Sequence, residues 1–362
     1  AHTIRSKQNW LGYFATATAS LAAVYALDHF NRDLWLPALT MLSVLYYTAG
    51  FFLRRTDNNK AWGAVLNNSS LALGAILSMV SLILSWESSG WYIIMVAVLF
   101  TIELFTRPLT LLEIAVEVLL SISLYRILND FDITHTGHFL FGTSLIWLCG
   151  DLIFQGTIKD KRPHGPLTLV TGYVLVLMSA LVWWGELDPA PAATYFVLYA
   201  IFFALYAFVQ QAPRLGYLAT AFLPLAVIKL YNVLNVEKWI FPLIVLAVSY
   251  YAIGFLFRRI QKVKGWGEML VFSGLGLGVL TSLAAPVQGG LDASIPVAIA
   301  ATLFAAEAFA LRSVWRALPA NLLYLLSYFM ILFELNVEEP QSYSIGAALL
   351  GMLMNYLLTR AG

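Results

Sequence analysis

The sequence predicts an all-α, polytopic integral membrane protein of about 14 transmembrane helices, arranged as parallel four-helix repeats of about 100 residues within a single domain, 1–362. Three observations lead there. The first is composition. The chain is 60% hydrophobic and only 11% charged, against roughly 25% charged residues in a soluble protein. A water-soluble core of this length has no room for so much apolar surface. Long apolar runs recur along the whole chain, which makes lipid the solvent they suit.

The second observation is internal similarity. Tyr46 to Gly63 reads YYTAGFFLRRTDNNKAWG, and Tyr250 to Gly267 reads YYAIGFLFRRIQKVKGWG, 204 positions on and without a gap. At the same offset Leu11-Gly12-Tyr13 matches Leu215-Gly216-Tyr217, Trp35 matches Trp239, Gly74 matches Gly278, and Glu103 matches Glu307. A fainter half-period shows in Gly50, Gly150 and Gly254, and Asn129, Asn235 and Asn336 read as the ends of corresponding helices. The unit has four helices, an even number, so every copy keeps one orientation. Such repeats are parallel, unlike the inverted repeats of many secondary transporters. Self-similarity at a fixed period marks an array in which each unit packs mainly on its neighbours.

The third is charge. Joins after even-numbered helices, together with the two ends, hold 17 of the 21 Lys and Arg residues, including Arg5, Lys7, Arg54, Arg55, Lys159, Lys161, Arg162, Arg258 and Arg259. Acids such as Asp33, Glu87, Asp130, Asp132, Glu186, Glu237 and Glu338 collect on the other face. The positive-inside rule then puts both termini in the cytoplasm, with a bacterial inner or plasma membrane as the location.

Taken in order, apolar runs place helices at 9–30, 34–54, 61–86, 91–106, 108–128, 138–156, 166–185, 191–211, 213–235, 239–258, 265–285, 293–312, 317–335 and 343–359. Most reach the ~20 residues needed to cross a hydrocarbon layer. The units are 9–106, 108–211, 213–312 and a partial 317–362. Nothing reads as a cleavable signal peptide, because Thr3 to Asn9 is mostly polar and a full-length apolar segment follows. Ala1 fits either removal of Met or a start inside a longer chain.

Six acids fall within the helices: Glu103, Glu113, Glu117, Asp151, Glu268 and Glu307. An ionisable group at membrane depth is expensive and is a functional candidate by default. Arg107 follows Glu103 by four residues and Lys264 precedes Glu268 by four, so ion pairing near the surface accounts for these two, the basic side chains snorkelling outward. Glu113 and Glu117 share one helix face. Two like charges there call for a proton or a cation between them. Together with Asp151 on the next helix and Asn68, they form the candidate proton or cation site, with a water-filled vestibule as the plainer reading. Their counterparts 204 residues on are Ala317 and Asn321, so the repeat itself does not require them.

Arg126 and Lys229 lie in the outer parts of their helices, where they either snorkel or pair with a buried anion. Asn67-Asn68-Ser69-Ser70 reads as interhelical hydrogen bonding or a cavity lining. His2, His29, His135, His138 and His164 all avoid mid-helix positions, which disfavours haem. Cys149 is the only cysteine, so no intramolecular disulfide or cysteine metal cluster is available. No cofactor or metal is implied, and no nucleotide-binding or hydrolase motif appears.

Three functions remain. The first is a non-catalytic membrane scaffold or assembly subunit. The second is a transporter or channel for an ion or small solute, using the acidic site and the proline-bearing helices with Pro37, Pro224, Pro242 and Pro296. The third is a membrane-embedded enzyme acting on lipid-linked substrates, which lacks a catalytic motif. The expected partners are the lipid bilayer and other membrane subunits. A net charge of +1 gives no footprint for nucleic acid.

Overall fold

The computed structural model describes residues 9–28, 34–56, 59–84, 88–107, 109–158, 165–234, 236, 238–289 and 291–361. Outside this set lie His2, Arg5, Lys7, His29, Asp33, Trp86, Glu87, Lys159, Asp160, Lys161, Arg162, His164, Asn235 and Glu237. The parts of the charge, histidine and repeat arguments that rest on them are therefore not addressed by the fold.

Among the described residues the regular structure is helical, with fourteen α-helices. They are α1 (Asn9–Asp28), α2 (Trp35–Arg54), α3 (Lys60–Leu84), α4 (Ser89–Thr106), α5 (Thr110–Asp130), α6 (Thr136–Ile158) and α7 (Gly165–Gly185). The remainder are α8 (Pro189–Val209), α9 (Gly216–Val233), α10 (Ile240–Arg258), α11 (Lys264–Gln288), α12 (Leu291–Leu311), α13 (Val314–Glu334) and α14 (Pro340–Ala361). In hydrocarbon each backbone N–H and C=O must find its partner within the segment, which only a helix or a closed barrel allows.

Among the described residues ten helices are long and apolar enough to cross a membrane, which suggests an integral membrane protein. The sequence led us to expect about fourteen such helices. Here α1, α5, α6 and α14 fall outside the ten. The apolar part of α1, Leu11–Leu27, is short, and α5 carries Glu113, Glu117, Arg126 and Asp130.

Helix ends follow local chemistry. Asp188 caps α8 by accepting a bond from the Ala190 N–H at 3.1 Å, and Pro189 fills the first position, where an N–H has no helical partner in any case. Pro37 and Pro242 stand third in α2 and α10, inside the first turn, so they break no helical hydrogen bond. Pro224 and Pro296 do lie inside α9 and α12. Asp132 (φ 57°) and Asn336 (φ 52°) adopt the left-handed conformation just past α5 and α13. The following residues close the ends, Ile133 N–H to Leu128 O at 2.8 Å and Val337 N–H to Leu332 O at 3.1 Å. This corrects one sequence correspondence: Asn129 lies within α5, and Asp132 is the residue that matches Asn336.

Contacts divide the chain into two compact units, 1–182 and 183–362, with the boundary inside the stretch 108–211 that the sequence reading took as one four-helix set. In the first unit α2 packs on α3 and α4 on α5. Its core includes Ile93, Val96, Phe100, Leu104, Val116 and Leu119. In the second, α8 packs on α9, α10 on α11 and α12 on α13. There the buried face of α8 is aromatic: Phe196, Tyr199, Phe203 and Tyr206 recur at helical spacing. Phe222 of α9 stacks on Tyr199 with ring centroids 5.0 Å apart.

Candidate functional site

Two glycines bring α2 and α3 together. A Cβ on Gly63 would sit 2.6 Å from Arg54 N, and one on Gly50 would sit 2.8 Å from Gly63 O. The backbones therefore approach as closely as small residues allow. Seven residues apart on α2, Tyr47 and Arg54 share the face turned to α4. Arg54 Nη1 donates to Glu103 Oε1 and Oε2 at 2.9 and 3.1 Å, and the Tyr47 hydroxyl donates to Oε2 at 3.1 Å. Asn67 Nδ2 reaches the same oxygen at 3.5 Å, and Arg107 Nε lies 3.2 Å from Oε1. Glu103 is 1% exposed. One buried carboxylate thus collects side chains from α2, α3 and α4, and its charge is met by two guanidinium groups.

The same contacts occur 204 residues on. Arg258 Nη1 donates to Glu307 Oε1 and Oε2 at 2.7 and 3.0 Å, and the Tyr251 hydroxyl donates to Oε2 at 3.3 Å. A Cβ on Gly267 would lie 2.5 Å from Arg258 N. Val271 stands at the Asn67 position and Leu311 at the Arg107 position, so neither of those two contacts is repeated here. Hydroxyl bonds match as well: Thr16 to Ser69 at 2.8 Å and Thr220 to Ser273 at 2.7 Å. Ser123 to Gly90 O at 2.8 Å likewise matches Ser327 to Ser294 O at 2.9 Å.

Sequence reasoning found Arg107 beside Glu103 and missed Arg54, which it read only as a marker of the basic face. A signal was present. Tyr47, Arg54 and Glu103 all reappear at one offset, and opposite charges retained together in two copies point to contact. Glu268 differs from the other acids in lying exposed at the start of α11.

Of the four residues of the candidate acidic site, Asn68 stands apart from the three acids. Glu113, Glu117 and Asp151 are each at most 1% exposed. The Glu117 carboxylate lies against α6, where a Cβ on Gly150 would meet its Oε1 at 2.6 Å. Asp151, the next residue, accepts from Thr168 Oγ1 of α7 at 3.5 Å. Asn68 is elsewhere: it is exposed on α3 and donates to the Tyr13 hydroxyl of α1 at 3.0 Å. Among the described residues no three His, Cys, Asp or Glu side chains come together as a metal site.

All of Asn67, Asn68, Ser69 and Ser70 bond across helices, Ser70 Oγ to Ser43 O at 2.7 Å. Arg126 and Lys229 are buried rather than snorkelling, and each donates to the end of a neighbouring helix. Arg126 donates to Ser81 O near the end of α3. Lys229 Nζ donates to Trp184 O and Glu186 O at 2.7 and 3.2 Å, at the end of α7. The last carbonyls of a helix lack helical partners, and in an apolar setting a buried cation is a strong donor for them.

Beside the first clasp, α1, α2 and α3 enclose a groove of about 690 Å³, lined by Tyr13, Thr16, Asn68 and Ser69 at one end and beyond them by mainly apolar residues, with Ser20 and the Trp35 indole N–H as the polar exceptions. A second groove of about 470 Å³ lies between α9, α10 and α11, at positions 204 residues on. Compared with known proteins, the chain matches no family model, no curated protein and no solved structure.

Proposed function

We propose that the chain is a non-catalytic integral membrane scaffold or assembly subunit, built from parallel four-helix units with both termini in the cytoplasm. The observation that carries this reading is the clasp formed twice: Arg54–Tyr47–Glu103 and Arg258–Tyr251–Glu307 use the same atoms 204 residues apart. A buried ion pair that recurs with the fold and is tied to close-packing glycines serves the register of the helices. Purification in native lipid provides the test. A stoichiometric membrane partner is expected, and a strictly solitary particle would sink the scaffold reading.

A second reading, transport of a proton or small cation, rests on one observation: three buried carboxylates on the neighbouring helices α5 and α6. Proteoliposomes holding wild type or the Glu113→Gln/Glu117→Gln variant separate the two. On the scaffold reading neither preparation moves protons or sodium above empty vesicles. A flux present in wild type and lost in the variant would replace that reading with transport.

A further inference from the structure

The groove between α1, α2 and α3 differs from its partner in one informative place. At the position of Asn68 the second groove has Phe272. Both grooves keep the Thr–Ser bond between their first and third helices, so the fold does not depend on the carboxamide. Yet Asn68 is exposed within an otherwise apolar helix face, eight residues into α3 and about 12 Å from its start at 1.5 Å per residue. Its one protein hydrogen bond, Nδ2 to the Tyr13 hydroxyl, leaves its carbonyl and second N–H without protein partners. A polar group placed so in hydrocarbon is costly unless something bonds to it.

The remaining lining specifies what that something is. No charged side chain lines the groove. From Asn68 it runs along Ile76 to Val80 between Leu21, Val24 and Leu39, a length of about 18 Å over twelve helical residues. Its volume falls within the range of about 300–1,000 Å³ typical of small-molecule sites. A narrow apolar channel with a neutral hydrogen-bonding end fits one hydrocarbon chain bearing an uncharged polar head. It does not fit a phospholipid, whose charged head belongs at the surface.

We infer that this groove is a binding site for a single-chain lipid with a neutral, hydrogen-bonding head, the head seated on Asn68 and Tyr13 and the chain running toward Val80. The scaffold reading is not needed for this and its failure would leave the inference standing.

The test uses the full chain in phosphatidylcholine nanodiscs and a hexadecanol probe with a photoreactive diazirine on the chain, with crosslinks mapped by mass spectrometry. Labelling should concentrate at Leu21, Ile76 and Val80, and excess unlabelled hexadecanol should suppress it. Asn68→Phe, which copies the second groove, should lower labelling roughly tenfold, and the corresponding hexadecyl phosphate probe should label roughly tenfold less than the alcohol. Ala72→Leu adds bulk inside the groove without touching its hydrogen bonds, so it should give the same loss even if Asn68→Phe disturbs the helix. Equal labelling of wild type and Ala72→Leu, equal labelling by the two heads, or uniform labelling of all exposed helices would each overturn the inference.

Discussion

Glu103 and Glu307 occupy one environment with different partners, and the difference sets what each residue contributes. Arg107 is 43% exposed at its side chain, so its pairing with Glu103 is worth at most about 1 kcal/mol. Arg54 and Arg258 are 18% and 17% exposed, and they face carboxylates that have almost no access to solvent. Removing one partner of such a pair leaves a buried charge behind, at about 3–5 kcal/mol, whereas replacing both with apolar groups is often close to neutral. Glu307→Gln is therefore expected to lower stability by about 3–5 kcal/mol, and Arg258→Leu/Glu307→Leu to recover all but about 1 kcal/mol of it. Reversible unfolding in mixed micelles measures both. If the double variant were as weak as the single one, packing and not charge would hold the clasp.

At the scale of elements, glycines decide which helices may touch. Gly267 faces the backbone nitrogen of Arg258, an atom that cannot swing aside, while Gly276 on the same helix has nothing within 4 Å of an added Cβ. Gly267→Val should therefore separate α10 from α11 and loosen Arg258 from Glu307, lowering the melting temperature. Gly276→Ala should leave the melting temperature unchanged or raise it slightly, since alanine is the better helix former. A thermal scan of both variants decides this, and equal tolerance would remove close backbone approach as the reason for glycine at position 267. Element positions were largely legible in the sequence because apolar runs and basic turns mark them. The acid α5 shows the limit. Its length and apolar residues announced a helix, but composition could not tell that Glu117 would lie on the α6 backbone at Gly150. Nor could it separate Asn68 from the acids, since both read as polar residues in apolar helices and only the packing assigns Asn68 to α1.

For the whole molecule, the basic turns make a topological prediction. Cys149 is the only cysteine, so a Cys149→Ser background accepts single reporters. With both termini inside, an impermeant maleimide added to intact cells should label Glu338→Cys and spare Lys262→Cys, and after permeabilisation both should react. The reverse pattern would overturn the orientation drawn from the positive-inside rule. Contact between residues 49 apart has no local signature, so the clasps were legible only in the matched residues at one offset.

That separation has a consequence during synthesis. Arg54 is made 49 residues before Glu103, and Arg258 49 residues before Glu307. At roughly 5–20 residues per second the interval is roughly 2–10 s. Within that time α3, and later α11, is completed beside α2 or α10 before the acid that joins them exists. Each clasp closes only when the next helix, α4 or α12, arrives, so the ribosome's progress itself sets the order in which the helices are locked.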